Sequence, residues 1–517
     1  MPDILLTTLN AKYPHTAFGL RYLHANLGEL RPAAEILEFD IHHRPVDVVE
    51  ALLAREPRII GLGIYIWNVT QSTQVVSLLK RLRPGIRVVL GGPEVSHETE
   101  GQPIVALADH VITGEADLAF ADLCRRILAG DPPAERILAA SLPELSRLAF
   151  PYDGYTPEDL AHRVVYLEAS RGCPFSCEFC LSSLDVPVRQ FPLEPFLAEL
   201  QRLMDRGLTR FKFVDRTFNL NLQTSRALLR YFLERHVEGR FYHFEMIPDR
   251  LPSELREIIA RFPAGSVQFE VGIQTFHPLS SQLISRRQSL PRLEENLRFL
   301  RAETGVHVHA DLIVGLPGED LESFGRGFDR LLGLQPQEIQ VGILKRLRGT
   351  PIIRHDSEWG MVYSPDPPYE VLQTRLIPFG EMQRMRRFAR YWDLVGNSGN
   401  FPRSAPLIWA GGESPFASFL RFSDWLFLQV RRTDQISLVR LAALLFRYLT
   451  EVRGRVPAEA AEGVLADYAR GGHTDTPGFL APYLPEAQLP GPGLPRKPRL
   501  PRRQARHQVG PPPGSPG

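Results

Sequence analysis

The sequence predicts an α/β protein with an N-terminal Rossmann-like open sheet, a central partial (β/α)6 barrel, a mainly α C-terminal region and a disordered tail. Three observations lead to this prediction. Apolar strand patterns alternate with helical patterns over residues 1–135, the alternation resumes over residues 163–351, and it stops at about residue 352. Strands that alternate with helices are typical of parallel sheets, because the crossover between two parallel strands is usually a helix.

The first series, residues 1–135, predicts an open and mostly parallel sheet. Its predicted strands are Asp3–Thr8, Ala34–Phe39, Arg58–Ile66, Arg87–Leu90 and His110–Ile112, and its predicted helices are Thr16–Leu30, Val46–Arg55, Gln71–Leu82 and Asp117–Ala129. Such sheets bind ligands at the carboxyl ends of their strands, in turns that need glycine. Two glycine turns, Gly91-Gly92-Pro93-Glu94 and Gly114-Glu115, follow strands here, so we expect a ligand site at this edge.

The second series begins after residues 136–162, a proline-containing stretch with little periodicity that we interpret as a linker. Its predicted strands are Val164–Ala169, Phe211–Val214, Phe241–Ile247, Val267–Ile273, Val306–Val314 and Glu338–Leu344, and its predicted helices are Glu194–Arg206, Thr224–Glu234, Ser253–Phe262, Leu290–Thr304 and Leu321–Leu332. Eight strand–helix units would close a full barrel, so six predict a partial one over residues 163–351.

The remaining chain shows helical patterns and then low complexity. Residues 352–484 contain predicted helices at Leu372–Asp393, Phe416–Arg431 and Gln435–Arg453. Residues 485–517 are rich in Pro, Gly and Arg, and we expect them to be disordered because they cannot bury enough apolar surface to fold.

Composition and charge argue against several classes of partner. The chain has 60 Lys and Arg against 59 Asp and Glu, so nothing indicates a polyanionic partner, and we do not expect nucleic-acid binding. The first residues lack the basic and apolar parts of a signal peptide. No apolar run approaches the roughly 18 residues of a membrane-spanning helix. We therefore expect a cytoplasmic protein without a membrane partner.

Three of the four cysteines, Cys173, Cys177 and Cys180, lie in one short segment after the first strand of the second series. Three thiolates can bind three irons of a 4Fe–4S cubane and leave the fourth iron open to a substrate. Ferredoxin-type clusters need four cysteines and structural zinc needs four ligands, whereas this segment contains no fourth Cys and no His. A reactive cluster is the prediction, and a zinc site completed by a distant His is the alternative.

The spacing Cys-x-x-x-Cys-x-aromatic-Cys, with Phe179 as the aromatic residue, resembles that of radical S-adenosylmethionine (SAM) enzymes. The resemblance implies that the open iron chelates the amino and carboxylate groups of SAM. One electron then enters the sulfonium and a 5′-deoxyadenosyl radical forms, while the barrel supplies orientation and isolation. It also implies a one-electron reductant, such as flavodoxin or ferredoxin, as a partner.

Other segments are similar to the SAM-contacting strands of that family. Asp215 ends the segment that resembles the second strand, Glu270 and Gln274 resemble the polar positions of the fourth strand, and Gly315 and Gly318 resemble the glycine turn after the fifth. The resemblance implies that these five residues and Phe179 bind SAM. Ordinary strand-end polar residues are the alternative interpretation of Glu270 and Gln274.

An α/β domain ahead of such a barrel resembles the cobalamin-binding subfamily of radical SAM enzymes. By that resemblance, cobalamin is surrounded by the first strand-to-helix loop and by the two glycine turns, at Tyr13, Gly91, Gly92, Pro93, Glu94, Gly114 and Glu115. A Rossmann-like domain without a ligand is the alternative. Asp40-Ile41-His42 approaches the Asp-x-His-x-x-Gly motif of mutase-type cobalamin proteins, but Pro45 replaces the glycine, so no cobalt ligand is assigned.

Two further features of the sequence bear on the choice between possible functions. Cys124 lies alone in a predicted helix and is interpreted as a core residue, and methylthiotransferases, which carry three extra N-terminal cysteines, are therefore excluded. The polar and aromatic stretch Tyr391–Phe401 resembles part of an uncharacterised C-terminal domain on some cobalamin-type radical SAM proteins. It either helps to bind substrate or forms a helix C-cap.

The resulting prediction is a radical SAM enzyme that uses a 4Fe–4S cluster and cobalamin, and that methylates an unactivated carbon of a small-molecule or peptide substrate. A cobalamin-associated radical cyclase or rearrangement enzyme is one alternative. A non-catalytic iron–sulfur or cobalamin sensor is another. No residue of the predicted barrel identifies the substrate, and no catalytic acid or base is assigned.

Overall fold

The structure, a computed structural model, describes residues 1–184, 187–411, 414–471, 473, 475–484 and 501–507. These residues form two units. Unit 1 comprises residues 1–216, 345–353 and 363–370, and unit 2 comprises residues 217–344, 354–362 and the described residues from 371 onward. Among the described residues, no helix combines the length and the apolar character needed to cross a membrane.

Unit 1 begins with a parallel α/β sheet. The strands of its first 216 residues are β1 (Ile4–Asn10), β2 (Ala34–Asp40), β3 (Ile59–Gly63), β4 (Arg87–Gly91), β5 (His110–Thr113), β6 (Ile137–Ala139), β7 (Val165–Leu167), β8 (Ser170–Arg171), β9 (Arg189–Gln190) and β10 (Arg210–Phe213). The helices are α1 (Phe18–Ala25), α2 (Pro45–Leu53), α3 (Val69–Leu82), α4 (Pro103–Leu107), α5 (Ala119–Leu128), α6 (Pro157–His162) and α7 (Leu193–Asp205). Strands β1–β6 pair in parallel in the order β2-β1-β3-β4-β5-β6, which confirms the predicted open sheet.

Alternate residues of β1 show how this sheet is buried on both faces. Leu5 packs into one apolar core with residues of α2 and α3, whereas Ile4 and Leu6 pack into another with residues of α1 and α5. Parallel strands covered on both faces are typically apolar on both, as Ile4, Leu5 and Leu6 at the start of β1 are. Cys124 is fully buried in the second core, where burial raises the pKa of its thiol to about 12, so its interpretation as a core residue is confirmed.

The predicted linker, residues 136–162, contains two elements that the sequence analysis missed. Strand β6 extends the sheet through the register Val111↔Ile137, and its three partly exposed residues carry no long apolar pattern. Helix α6 begins with a capping box in which Thr156 and Asp159 each accept the other's backbone N–H. Short elements of this kind depend on pairing and capping more than on apolar periodicity.

Unit 2 begins with a second alternating series. Its elements are α8 (Leu222–Glu234), β11 (Phe241–Met246), α9 (Ser253–Ile259), β12 (Val267–Gln274), α10 (Pro278–Leu283), α11 (Leu290–Glu303), β13 (His307–Val314), α12 (Leu321–Gly333) and β14 (Glu338–Ile343). Strands β11 to β14 pair in parallel in sequence order, and β7 pairs in parallel with β10 within unit 1. All six strands predicted for the partial barrel are therefore present.

The rest of the described chain is mainly helical, as predicted. Its elements are α13 (Asp356–Trp359), β15 (Val362–Tyr363), β16 (Val371–Gln373), α14 (Phe379–Val395), α15 (Pro415–Val430), α16 (Leu438–Arg447), α17 (Pro457–Arg470) and α18 (Arg502–His507). The helix predicted from Leu372 begins only at Phe379, because Leu372 lies in a short strand and Pro378 is the extended N-cap residue. Helix α18 falls in the range predicted to be disordered, whereas residues 485–500 and 508–517 lie outside the described residues.

The stretch Tyr391–Phe401 begins in the last turns of α14 and continues beyond the helix, where Asn397 binds a strand. The Asn397 side chain accepts the backbone N–H of Ile339 (2.9 Å) and donates to the carbonyl of the same residue (2.8 Å). Ile339 belongs to β14, the edge strand, so Asn397 satisfies backbone groups that the sheet leaves without a strand partner.

Candidate functional site

A cavity of about 370 Å³ opens in unit 1 at the carboxyl ends of β3, β4 and β5. Its walls are largely apolar and include Phe18, Leu20, Tyr65, Ile112 and Phe120. The β3 glycines Gly61 and Gly63 also line it. The volume falls within the range of about 300–1,000 Å³ that is usual for ligand pockets. The position agrees with the rule that open parallel sheets bind ligands beyond the carboxyl ends of their strands.

The structure brings four of the seven predicted cobalamin residues to this cavity. Gly91, Gly92, Gly114 and Glu115 line it. The remaining three do not: Tyr13 is 53% exposed and donates to Glu158, Pro93 begins a short turn, and the Glu94 side chain is buried in a separate ion pair. Both glycine turns thus contribute residues to the cavity wall, and their contact with cobalamin stays a prediction.

Gly92 has a backbone conformation that only glycine adopts easily. Its φ is +106°, and a Cβ atom there would lie 2.5 Å from the carbonyl oxygen of Ile64. Real Cβ atoms do not approach a backbone oxygen so closely, so any side chain would displace the turn. The shape of this cavity wall therefore depends on glycine at position 92.

Arg171 is the charged centre of the cavity's polar side. Its guanidinium contacts Glu115 (2.7 Å), Asp117 (2.8 Å) and Glu168 (2.9 Å), and its central carbon lies 4.6 Å from the ring centroid of Tyr22. Although burial opposes it, Glu168 and Asp117 raise the pKa of Arg171 above its ordinary value. Burial also raises the pKa of Glu168. This nearly buried cation holds the three loops together: removing it would take the ion pair from the buried Asp117 and Glu168, whereas Glu115 also pairs with Arg189.

The cysteine loop follows β7 and begins directly beside Arg171. Cys173 and Cys177 are buried, Cys180 is partly exposed, and none of the three is joined in a disulfide. The Cys180 N–H donates to the Cys177 carbonyl (3.1 Å), so a tight turn brings the last two cysteines together. Phe179 lies within that turn and is partly buried. Across the described ranges, no three His, Cys, Asp or Glu side chains are already grouped closely enough to hold a metal ion.

Asp215 forms hydrogen bonds with the residues at the start of the cysteine loop. Its carboxylate accepts the Ala169 N–H (3.0 Å) and the Ser170 hydroxyl (2.6 Å) and is almost fully buried. Burial raises the pKa of Asp215 to about 7. Through these two hydrogen bonds, the Asp215 side chain holds the segment that leads to Cys173.

Asp215→Asn is expected to change how stability depends on pH. A folded-state pKa of about 7, above the ordinary 3.8, means that the folded protein holds this proton more tightly than the unfolded chain. That contribution is complete below pH ~4 and is lost as pH rises to ~7, with a slope of at most about 1.4 kcal/mol per pH unit.

The free energy of unfolding, measured by denaturant titration of the metal-free protein at several pH values, checks this. Relative to Asp215→Asn, the wild type should lose stability across that pH window. The exposed-carboxyl control Asp131→Asn should keep the wild-type slope. Parallel curves for wild type and Asp215→Asn would show that Asp215 does not hold a proton in the folded state.

In unit 2, two of the predicted SAM residues lie on β12. Glu270 contacts the His243 ring (3.1 Å). Gln274 ends the strand after a register shift and has a φ of +73°. Its side chain therefore does not follow the alternation of the regular strand residues. The Gln288 side chain donates to the Ile273 carbonyl (2.9 Å) and supports this bend. A polar side chain held in a strained conformation is typical of a binding site.

The predicted glycine turn after β13 is present, with Gly315 at φ +89° and Gly318 at φ +78°. A Cβ atom on Gly315 would lie 2.6 Å from a methyl carbon of Val371, so packing within unit 2 already requires glycine there. The neighbouring Glu319 accepts the Thr275 hydroxyl (2.7 Å), and burial raises its pKa to about 7.

The face of β11–β13 that carries Glu270 is rich in acidic groups. Burial, Glu270 and Glu245 together raise the pKa of Asp311 well above its ordinary value. Asp311 Oδ1 lies 3.4 Å from the His309 ring. The positive charge of Arg286 acts in the opposite direction and lowers the pKa of Asp311.

Sequence reasoning missed several residues that build the unit 1 site, among them Arg171, Glu168, Asp117 and Tyr65. Arg171 stands two positions before Cys173, and Glu168 lies near the end of the preceding predicted strand, so their closeness to the cysteine motif was a signal in the sequence. Asp117 and Tyr65 carry no local pattern that distinguishes them from other loop residues.

Three family models match the chain. The B12 binding domain matches residues 4–124, the radical SAM superfamily matches residues 167–331, and DUF4080, a protein family of unknown function, matches residues 357–483.

Curated relatives match part of the chain. The 2-(S-pantetheinyl)-carbapenam-3-carboxylate methyltransferase of Streptantibioticus cattleyicolor is 27% identical over 56% of this chain and 47% of its own length. The cobalamin-dependent radical SAM methyltransferase TokK of Streptomyces tokunonensis is 26% identical over 54% of this chain and 45% of its own. The chain thus spans about half the length of these relatives.

Solved structures share the fold. The cobalamin-dependent SAM radical enzyme OxsB, with aqua-cobalamin bound, superposes with a TM-score of 0.62 over 93% of this chain and 84% of its own, at 13% identity. The radical SAM methyltransferase TsrM from Kitasatospora setae, with cobalamin and a [4Fe-4S] cluster bound, gives 0.54 over 68% of this chain and 77% of its own, at 17% identity.

The matched domains follow one another as the sheet, the second strand series and the helical region do. They confirm the resemblance drawn from the cysteine spacing and the glycine turns, and they show that the chain carries a B12-binding domain, a radical SAM domain and a C-terminal DUF4080 domain.

Proposed function

We propose that this protein is a cobalamin-dependent radical SAM enzyme that methylates an unactivated carbon. One observation carries the proposal: a single cavity in unit 1 is lined both by the glycine turns of the B12-binding domain and by residues around the cysteine loop. Gly91, Gly92 and Gly114 come from the former, and Arg171 and Ser182 come from the latter. Such a cavity gives cobalamin a place next to the cysteine loop.

The relatives support methyl transfer as the reaction. The two curated relatives described above are methyltransferases, and so is a third, uncharacterised protein of Pyrococcus horikoshii that is 24% identical over 53% of this chain. The substrates of these relatives are not assigned to this chain. Its proposed methyl acceptor is a small molecule or a peptide.

The donor chemistry of the cysteine loop fits a 4Fe–4S cluster, because three cysteine side chains outside any disulfide occupy one short loop and can hold three of the four irons. Cys173, Cys177 and Cys180 would hold the cluster, and Phe179, Glu270, Gln274, Gly315 and Gly318 would contact SAM. Asp215 would act through the loop backbone that it holds. When bound, the cluster and SAM supply one-electron cleavage chemistry, and cobalamin supplies a methyl carrier.

The unit 1 cavity fits part of a cobalamin molecule at the two glycine turns. Gly92 lets its turn pass close to the Ile64 backbone, so the turn can keep its position in the cavity wall. Apolar walls at Phe18, Tyr65 and Phe120 exclude water, which strengthens the electrostatic interactions inside. Arg171 holds Glu115 in the second turn against the start of the cysteine loop.

The proposal also covers the electron donor, the cellular compartment and the domain boundaries. A radical SAM protein needs an external one-electron reductant, and we propose flavodoxin or ferredoxin in the cytoplasm. We retain the domain boundaries 1–135, 136–162, 163–351, 352–484 and 485–517 as proposed functional divisions of the chain.

The products formed from SAM test the reaction class. Anaerobic protein with bound cluster and cobalamin, incubated with SAM and dithionite, should form both 5′-deoxyadenosine and S-adenosylhomocysteine, since radical formation and methyl donation each consume SAM. 5′-Deoxyadenosine alone would favour a radical cyclase or rearrangement enzyme. Neither product would favour a non-catalytic sensor and would contradict the proposal.

A further inference from the structure

Residues 345–353 and 363–370, here called the arm, follow β14 in sequence but belong to unit 1. Their polar contacts reach two loops that the proposed function uses. The whole arm lies outside the matched radical SAM and B12-binding ranges, and residues 363–370 fall within the matched DUF4080 range.

The arm's first contact is with Glu94, immediately after the Gly91-Gly92 turn. The Glu94 carboxylate is 4% exposed and accepts Arg348 Nε (2.8 Å) and the Tyr369 hydroxyl (2.6 Å). Arg348 Nη2 also donates to the Tyr369 hydroxyl (2.9 Å), and the guanidinium lies 5.0 Å from the Tyr369 ring centroid. Charge-assisted bonds of this kind are about twice as strong as neutral ones and fix geometry.

The second contact continues along the same turn. Glu98 accepts Arg346 (3.1 Å) and the backbone N–H of Gly349 (3.0 Å). A Cβ atom on Gly349 would lie 2.5 Å from the His97 ring, so the arm backbone passes directly over this residue. Hydrogen bonds and ion pairs thus connect the arm to both ends of the segment 94–98.

The third contact is with the cysteine loop. The Ile352 side chain is fully buried, and its N–H donates to the Glu178 carbonyl (3.0 Å). Glu178 lies between Cys177 and Cys180. One continuous stretch, from Arg346 to Ile352, therefore touches the turn beside the predicted cobalamin cavity and the loop of the predicted cluster ligands.

We propose that the arm is a positioning element that sets the Gly91-Gly92 turn relative to the cysteine loop, with Glu94, Arg348 and Tyr369 as positioning residues. This inference rests on the proposed function and reassigns Glu94 from contacting cobalamin to holding the turn that does. A turn already held in its binding conformation avoids the cost of ordering when the ligand arrives. Ordering of the cysteine loop by its cluster would reach the same turn through Ile352.

Tyr369→Phe and Arg348→Met test the first part with full-length, cluster-loaded protein. Each removes bonds to the buried Glu94, and we expect the dissociation constant for hydroxocobalamin to rise about tenfold. Arg348→Lys keeps the charge and should recover part of the affinity. The matched control Tyr391→Phe removes a buried tyrosine bond to the Arg432 carbonyl in unit 2 and should lower the melting temperature without changing cobalamin affinity.

A double-mutant cycle with Cys177→Ala tests the second part. If the arm links the two loops, loss of the cluster should weaken cobalamin binding about fivefold or more in the wild type, and much less in Tyr369→Phe. Additive effects, or unchanged affinity in both arm variants, would overturn the inference while leaving cobalamin binding intact. A wild type that binds iron but no cobalamin would overturn the proposed function instead.

Discussion

Cys177→Ala is expected to reduce 5′-deoxyadenosine formation to background and to remove most of the iron. Cys177 is buried in the middle of the loop, and the fourth cysteine of the chain, Cys124, is fully buried in the α5 core, so no spare thiol can take its place. With two thiolates left, two irons of a cubane would lack a protein ligand. Iron content and 5′-deoxyadenosine, measured after anaerobic reconstitution, check this expectation.

Cys124→Ala provides the control for the same chemistry. Cys124 is fully buried in the α5 core of the B12-binding domain, and burial keeps its thiol protonated. Its replacement should lower stability slightly and leave iron content unchanged. Turnover that persists in Cys177→Ala, or iron lost in Cys124→Ala, would refute the assignment of the cysteines.

Gly92→Ala is expected to abolish measurable cobalamin binding while the cluster is retained. The added Cβ would lie 2.5 Å from the Ile64 carbonyl oxygen, and alanine is strained at a φ of +106°. Strain alone costs about 1–3 kcal/mol, and the clash must be relieved by moving the turn, so we expect affinity to fall by at least about 100-fold.

Gly101→Ala separates backbone strain from displacement of the cavity wall. Gly101 also has a positive φ, +76°, but no atom lies within 4 Å of its added Cβ. Both variants should lose stability, and only Gly92→Ala should lose cobalamin when binding is followed by absorbance. Equal affinity in the two variants would mean that the Gly91-Gly92 turn does not shape the cobalamin site.

Much of the fold was predictable because its strands and helices are local and periodic. Ile59–Gly63 is a continuous apolar run, and Leu290–Glu303 repeats apolar residues at helical spacing. By contrast, β6 is three residues long and is stabilised by pairing with β5, and α6 is specified by a capping box. Elements of that size carry too few residues for a periodic pattern to emerge.

The residues of the candidate site likewise differ in how well local sequence predicts them. The cysteines and the glycine turns could be read from the sequence, because ligand spacing and a need for glycine are local properties. The partners of Glu94 could not, since Arg348 and Tyr369 lie in a distant part of the chain. Arg171 was missed for a related reason: its role depends on Glu115, Asp117 and Glu168 converging on it in three dimensions.

The most direct test of the central claim is the iron and cobalamin content of wild-type protein purified anaerobically with hydroxocobalamin supplied. We predict about four irons and about one cobalamin per chain. Four irons without cobalamin would contradict the cobalamin-dependent function, and the unit 1 cavity would then need another ligand. Less than one iron per chain after reconstitution would contradict the cluster assignment and the radical mechanism with it.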